Sequence, residues 1–363
     1  MNCGAKLPDG AKFCGNCGCK LGTVAEVSVP SKNDVQTKGT KVKHKNRLSN
    51  FEQLQCDAKN GNAVAQVNLA EALMYGKGCK KNETMALQWC AKAAKQGNEK
   101  AFRCLTDYHK KKCSVEGMKE AFRWYQKAAD LDYSWAQVEL ADCFINAKGC
   151  EKDYEKAFIY AEKATNAENY DGLGMLAICY FNGYGCDIDC DAGFAFAKES
   201  AGHGSARGQN SLARAYFMGF GCTKNISKAF ELYVKASQQG NATAQNNLGS
   251  LYFNGEGCTQ DYSKAVMWYR KAAEQGNATA QNNLGSCYYK GQGCSQDYQE
   301  AIMWYKKAAE QGNVRSQTIL GDCYEKGIGC PKDLKKALEW YGKAAEQGFI
   351  PAQSCVERIL KSM

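Results

Sequence analysis

The sequence has little proline, little histidine and no long apolar run. Only 4 of its 363 residues are proline, and abundant Ala, Lys, Gln and Leu favour helices. The 3 histidines leave few candidates for a general base. No segment approaches the roughly 18 apolar residues of a membrane helix, and residues 1–20 lack the apolar core of a secretory signal. We therefore expect a helical, cytoplasmic protein without membrane insertion.

The sequence is rich in charged residues and cysteine, and their distribution bears on nucleic-acid binding and on disulfide formation. The net charge is +9, and residues 1–47 contribute nine Lys/Arg against three Asp/Glu. The remaining residues are nearly balanced, which argues against a nucleic-acid groove along them. The 21 cysteines are spread along a chain too long to need a disulfide scaffold.

A period of 36 residues organises most of the chain, and residues 276–311 nearly repeat residues 240–275. One helix pair cannot bury its apolar face alone, whereas stacked pairs bury a continuous core. We therefore predict eight helix-pair repeats over residues 61–347. The units are 61–96, 97–131, 132–167, 168–203, 204–239, 240–275, 276–311 and 312–347.

The seventh unit shows why each repeat reads as two helices. Ala280, Leu284 and Cys287 recur at helical spacing, and a Gly-x-Gly-Cys turn then breaks the pattern. Asp297 is placed to cap a second helix, whose apolar face includes Ala301 and further aromatic and alanine positions. Residues 49–60 and 348–363 are predicted to be helices that cap the two ends of the array.

The segment "LGSCYYKGQGCSQDYQEAIMWYKKAAEQGN" resembles the Sel1-like (Sel-one-like) repeat, a tetratricopeptide-like helical hairpin. The resemblance covers residues 61–347 and implies an all-α, right-handed superhelical α-solenoid of antiparallel helix hairpins. It departs in unit two, which lacks the glycine turn, and at Ala147 and Gly193. The family's usual role implies a non-enzymatic protein-interaction scaffold.

The amino-terminal segment, residues 1–19, resembles a short zinc ribbon through Cys3, Phe13, Cys14, Cys17 and the glycines beside them. Thiolates two residues apart on a glycine turn can face one Zn²⁺. The first cysteine of the pattern is absent, so the fourth ligand is either Cys19 or a residue upstream of Met1. We expect one structural zinc per chain; a cysteine-rich tail without metal is the alternative.

Four cysteine pairs in the repeats lie seven residues apart, from the first helix to the turn. In other units the first member is Ala72, Ala215 or Leu251, so the position behaves as an apolar packing site. We predict reduced thiols, with disulfides as the alternative. The pairs are Cys143/Cys150, Cys179/Cys186, Cys287/Cys294 and Cys323/Cys330.

The linker, residues 20–48, is polar and carries the basic run "KVKHKNR" at 41–47. A solvated linker is the plain interpretation; a nucleic-acid-associated protein that uses this run and the ribbon is the alternative function. A β-lactamase-like hydrolase, known among cysteine-rich relatives of the solenoid, is the second alternative. No nucleophile–base set or phosphate loop of the usual spacing supports an enzyme.

Two sets of first-helix residues are predicted to bind a protein or peptide partner on the concave face. An amide ladder can bond to an extended peptide backbone, and an aromatic stripe can receive its apolar side chains. Packing of the aromatics in the core, and duplication of the asparagines without a ligand, are the alternatives. The sets are Asn210, Asn246 and Asn282, and Phe181, Phe217, Phe253 and Tyr289.

Overall fold

The chain divides into two units, Met1–Arg47 and Leu48–Met363, and the computed structural model describes residues 50–112 and 114–362. Those residues form eighteen α-helices and no strand. The first helices of the eight pairs are α2 Ala63–Tyr75, α4 Glu99–Lys111, α6 Ser134–Asn146, α8 Tyr170–Asn182, α10 Ala206–Met218, α12 Ala242–Asn254, α14 Ala278–Lys290 and α16 Val314–Lys326. The second helices are α3 Glu83–Ala94, α5 Val115–Ala129, α7 Tyr154–Asn166, α9 Cys190–Gly202, α11 Ile226–Gln238, α13 Tyr262–Glu274, α15 Tyr298–Glu310 and α17 Leu334–Glu346. The flanking helices are α1 Asn50–Lys59 and α18 Ile350–Ser362.

Short polar side chains and glycines set the ends of these helices. Asp297 caps α15, because its carboxylate accepts from the backbone N–H groups of Gln299 and Glu300 at 2.9 and 3.0 Å. The turn after a first helix needs a left-handed residue, and Gly255 takes that position with φ 75°. The structure confirms the cap predicted at Asp297. It also confirms that a glycine forms the turn after a first helix, as Gly255 does in the sixth repeat.

The repeats that depart from the sequence pattern keep the hairpin by other means. Ala147 occupies the left-handed position after α6 with φ 53°, where most repeats have glycine. In the second repeat, which has no glycine turn, α4 ends at Lys111 and α5 begins at Val115. The missing glycines therefore change the turns and leave the helix pairs in place.

Each repeat contributes a buried leucine to the core, and the second and the fifth to eighth repeats also contribute a buried tyrosine. Leu248 and Leu284 are fully buried, and Tyr305 is 2% exposed. Gly285 lets this tyrosine approach the first helix, since a Cβ there would lie 2.9 Å from Tyr305 Cδ1. The same contact of a glycine with a tyrosine recurs between Gly249 and Tyr269 and between Gly321 and Tyr341, so it is the packing rule of the sixth to eighth hairpins.

Buried glutamines pair the two helices of five repeats, and in the sixth to eighth repeats they also bond to the repeat before. Gln281 donates to the carbonyl of Ala273 at 3.1 Å and accepts from Gln311 at 2.7 Å. The same side-chain pairing is made by Gln66 with Gln96, Gln209 with Gln239, Gln245 with Gln275, and Gln317 with Gln347. We call these five pairs the glutamine ladder. The amide of Gln281 adds a second donor to a carbonyl at the end of a helix, since the carbonyl of Ala273 also accepts from the backbone N–H of Gly276 at 3.0 Å.

The first helices of successive repeats approach one another more closely than the second helices do. Helix α8 packs against both α6 and α10, and no two successive second helices of the described part pack comparably. A Cβ at Gly174 would lie 2.9 Å from the backbone nitrogen of Gly208, so glycine permits this approach. A stack that is closed on one side curves toward that side. The first helices therefore line the concave surface, the inner surface, of a right-handed superhelical α-solenoid, as expected.

Candidate functional site

The predicted asparagine ladder lies between helices and not on an open surface. Asn210, Asn246 and Asn282 are 6%, 8% and 5% exposed. Asn247 donates to the side chain of Asn210 at 3.3 Å, and Asn283 donates to that of Asn246 at 3.0 Å. The three amides are therefore not presented on an open concave face, because close first-helix packing buries them and pairs Asn210 and Asn246 across repeats.

Phe253 and Tyr289 pack against rings of their own hairpins, whereas Phe181 packs against the next repeat. Phe181 is 5% exposed, whereas Phe217, Phe253 and Tyr289 are half-buried. Three of them meet another ring: Phe181 meets Phe220 at 5.4 Å, Phe253 meets Tyr262 at 4.9 Å, and Tyr289 meets Tyr298 at 5.2 Å. Only the half-buried members of the stripe keep ring surface that a ligand can reach.

An uncharged strip covers the inner surface of the sixth and seventh repeats. Helix α12 carries no charged residue, and α14 carries only Lys290 at its last position. The outward-facing members are exposed or half-buried small polar side chains: Thr243, Asn247, Ser250, Thr279, Asn283 and Ser286. We call these six residues the neutral strip. Its hydroxyl and amide groups can donate to and accept from a peptide backbone.

A charged cluster lies on the inner surface of the second to fifth repeats. Arg207 of α10 reaches back two repeats and donates to Glu139 of α6 at 3.1 Å. Lys110 contacts the same carboxylate at 3.4 Å, and Lys148 binds Asp142 at 2.6 Å. These five residues form the charged cluster, which ties three repeats together.

The carboxylates of the charged cluster remain ionised although they are sheltered from water. Burial alone would raise the pKa of Glu139, but the charges of Lys110 and Arg207 outweigh it and lower the pKa. Burial also opposes ionisation of Asp142, where Lys148 and Arg207 lower the pKa in turn. The cluster is therefore a set of paired charges and not a proton donor.

A polar cavity of about 240 Å³ opens beside the charged cluster. Its walls come from α4, α5, α6 and α8, and combine aromatic rings with charged groups. The guanidinium of Arg103 lies 4.3 Å from the centre of the Trp135 ring. The lining residues are Arg103, Thr106, Asp107, Lys110, Tyr125, Trp135, Val138, Glu139 and Asp171. We call this the inner cavity.

The turn cysteines contact backbone, which explains why their sequence partners vary. In five repeats the turn thiol donates to the carbonyl seven residues earlier, a group that Ala, Leu and Cys all supply. The contacts are Cys79 to Ala72 at 3.4 Å, Cys150 to Cys143 and Cys222 to Ala215 at 3.5 Å, and Cys258 to Leu251 and Cys330 to Cys323 at 3.7 Å. Burial raises the pKa of Cys287 to about 12, so this thiol is a poor nucleophile at neutral pH.

The predicted zinc ligands, Cys3, Cys14, Cys17 and Cys19, lie outside the described residues. Among residues 50–112 and 114–362, no group of three or more His, Cys, Asp or Glu side chains could hold a metal ion. No helix in that part combines the length and the apolar character needed to cross a membrane.

Comparison with models of known protein families shows which family the chain belongs to. The Sel1 repeat model matches residues 63–98, 117–133, 136–169, 171–205, 206–241, 242–277, 278–313 and 314–349. The chain belongs to the Sel1-repeat family. A zinc-ribbon domain model also matches residues 1–21 of this Sel1-repeat protein. Sel1-repeat proteins typically serve as protein-interaction scaffolds, and the fold is generally non-catalytic.

Solved structures include other Sel1-repeat proteins. A Sel1 repeat protein from Oxalobacter formigenes is 25% identical, with 85% of this chain and 90% of that chain covered and a TM-score of 0.51. A protective antigen of uropathogenic Escherichia coli with an SLR fold is 30% identical, with coverages of 87% and 68% and a TM-score of 0.48. Helicobacter pylori cysteine rich protein B is 23% identical over 37% of this chain and 96% of that chain, with a TM-score of 0.31. No curated protein matches the chain.

Sequence reasoning missed the inner cavity and the charged cluster. Several of their residues stand at first-helix positions where the sixth and seventh repeats have Thr, Asn or Ser; Trp135, Asp171 and Arg207, for example, align with Thr243. Such departures from the repeat consensus were the available signal. The pairing of Arg207 with Glu139, 68 residues apart, was not visible without the fold.

Proposed function

We propose that this Sel1-repeat protein is a cytoplasmic, non-enzymatic scaffold that binds a peptide or protein segment along the inner surface of its solenoid. The observation that carries the proposal is the neutral strip on α12 and α14, which continues toward the inner cavity on the same helix layer. A scaffold of stacked hairpins needs no closed pocket, because an extended segment can follow the layer from repeat to repeat.

The sequence-predicted residues take two different parts in this proposal. Phe217, Phe253 and Tyr289 are the aromatic contact candidates, since each is half-buried. The buried Asn246 is bonded to both Asn247 and Asn283. In this proposal the buried asparagines do not contact the partner directly. Asn210, Asn246 and Asn282 instead hold the amide side chains of the neutral strip in position for binding.

The amino-terminal segment is proposed to hold one structural zinc. Its donor set consists of Cys3, Cys14, Cys17 and either Cys19 or an upstream cysteine, and such thiolate sets suit tetrahedral zinc. Bound zinc would fix the fold of the ribbon. The nucleic-acid alternative rests on this ribbon and on residues 41–47, all outside the described residues, and the hydrolase alternative rests on the family resemblance alone.

The scaffold proposal is tested by placing a charge in the neutral strip. Thr279 is exposed on the inner surface, and Thr279→Arg puts a long cation where a partner backbone would lie. Gln299→Arg is the matched control, because Gln299 is exposed on the second helix of the same repeat. Both changes should leave the unfolding free energy within about 0.5 kcal/mol of the parent.

The readout is quantitative affinity purification with the two variants and the parent chain as bait. Proteins that the parent and Gln299→Arg retain, and that Thr279→Arg loses, bind through the inner surface. The proposal is contradicted if Thr279→Arg retains every specific partner, or if Gln299→Arg is the variant that loses them.

A further inference from the structure

The cations at the inner cavity are already paired, whereas two of its carboxylates are not. Arg103 binds Glu99 at 2.8 Å, and Lys110 binds Glu139 at 3.4 Å. Asp107 and Asp171 are exposed and form no ion pair with any described residue. The unmatched charge at the mouth of the cavity is therefore negative.

The remaining charges nearby do not change this balance. Arg207 binds Glu139 at 3.1 Å and shares it with Lys110, and the charge of Arg207 also acts on Asp171. Lys148 is occupied by Asp142 at 2.6 Å. The hydroxyl of Ser205 donates to Asp171, which leaves that carboxylate negative. An incoming anion would have to break an existing pair, while an incoming cation meets Asp107, which has no ion pair, and Asp171, which is not ion-paired although the charge of Arg207 acts on it.

The size and the walls of the cavity suit one long basic side chain. Its volume of about 240 Å³ equals roughly eight waters and is below the roughly 300–1,000 Å³ of pockets for small molecules. Trp135 and Tyr125 supply aromatic walls against which an aliphatic stem can pack. The indole N–H of Trp135 is also buried without an acceptor among the described residues, which a ligand carbonyl would satisfy.

We infer that the inner cavity anchors a lysine or arginine side chain of the bound segment, and that uncharged residues of the same segment lie on the neutral strip. This inference rests on the proposed scaffold function and adds the chemistry of the partner. The partner motif is one basic residue in an otherwise uncharged extended stretch. Asp107 and Asp171 set this specificity by charge complementarity.

The test uses random dodecapeptides displayed on phage and selected on the full chain. We expect the enriched peptides to share a Lys or Arg flanked by uncharged residues. A synthetic copy of an enriched peptide should bind the Asp107→Asn/Asp171→Asn chain roughly 3- to 30-fold more weakly, as two exposed ion pairs predict. Exchange of its basic residue for Gln should cost a similar factor on the parent chain and little on the double variant.

The control is Asp187→Asn/Asp191→Asn, which removes two exposed carboxylates from the turn before α9 and from α9 itself. It should bind the peptide as the parent does, and all three chains should melt together. Enriched peptides that share an acidic residue, or that bind the Asp107/Asp171 variant unchanged, would overturn the inference and leave the scaffold function standing. If the parent chain enriches no peptide, both the inference and peptide binding by the inner surface fail.

Discussion

In the third repeat the buried Gln137 lacks the glutamine partner that the pairs of the glutamine ladder have, and supplying that partner should stabilise the solenoid. Gln137 is 4% exposed, and its side-chain oxygen is buried without a donor in the described part. The donor in other repeats is a glutamine 30 residues later, but that position here is Ala167. Ala167→Gln should restore the missing bond. The backbone permits it, since Ala167 has φ −88° and ψ 21° while Gln275 has φ −82° and ψ 2°.

The expected gain follows from the cost of the orphaned oxygen. A buried acceptor without a partner costs about 1–3 kcal/mol, and a new hydrogen bond contributes about 0.5–1.5 kcal/mol net. Ordering the new glutamine side chain opposes this by up to about 1.5–2 kcal/mol when it is fully fixed. The equivalent Gln275 is itself exposed apart from its amide contact, so the opposing cost is only part of that. We expect Ala167→Gln to raise the unfolding free energy by about 0.5–1.5 kcal/mol.

The assay is urea unfolding at neutral pH of five chains: the parent, Ala167→Gln, Ala167→Asn, Gln137→Ala and the double variant Gln137→Ala/Ala167→Gln. Ala167→Asn is the matched control, because its amide is one methylene too short to reach Gln137. The gain should also vanish when Gln137 is replaced by Ala, since no orphaned oxygen is then left to satisfy. The reasoning is refuted if the Asn variant gains as much as the Gln variant, or if the gain persists in the Gln137→Ala background.

Four further predictions test packing, thiols, acid stability and metal. Gly285→Ala should cost about 1–3 kcal/mol in thermal or urea unfolding because of the Tyr305 contact, whereas Gly342→Ala, where an added Cβ meets nothing within 4 Å, should gain about 0.5–1 kcal/mol; equal effects would contradict the packing account. Rapid alkylation of lysate followed by thiol counting under denaturant should find all eight cysteines of the seven-apart pairs reduced, and a loss of those eight thiols would show disulfides instead. Because the pKa of Glu139 is lowered, its pairing contributes fully above its unfolded pKa of about 4.3 and is lost as the pH falls through the folded value. The stability difference between the parent and Glu139→Gln should therefore shrink from pH 5 to pH 3, and a constant difference would show that the charge is not what stabilises. Metal analysis of the full chain should find about one zinc, whose loss to chelator is faster in Cys14→Ser; no zinc in the parent would end the ribbon proposal.

The repeat architecture could be predicted from the sequence because its signals are local. Helical spacing, the capping Asp297 and the glycine turns each act within one hairpin, and the same pattern recurs every 36 residues. The exceptions were visible as well: Ala147 marks a left-handed position that glycine fills elsewhere.

The inner surface could not be predicted in the same way because it depends on distances between repeats. The burial of Asn246 follows from how closely α12 and α14 approach, which one repeat alone does not specify. The role of Gln281 was hidden because its partner, Gln311, ends the second helix of the same repeat and looks like an ordinary polar stop. The turn cysteines likewise donate to backbone carbonyls. Because every residue type provides a carbonyl, the sequence does not reveal these contacts.

The central claim is that partners bind to the inner surface, and site-specific photo-crosslinking tests it most directly. Benzoylphenylalanine replaces either Tyr289, half-buried on the inner surface, or Met303, which is 38% exposed on the second helix of the same repeat. The adducts formed in the cell are then compared by mass spectrometry. We predict that a partner protein crosslinks at position 289 and not at position 303. Adducts confined to position 303, or equal at both positions, would contradict the claim.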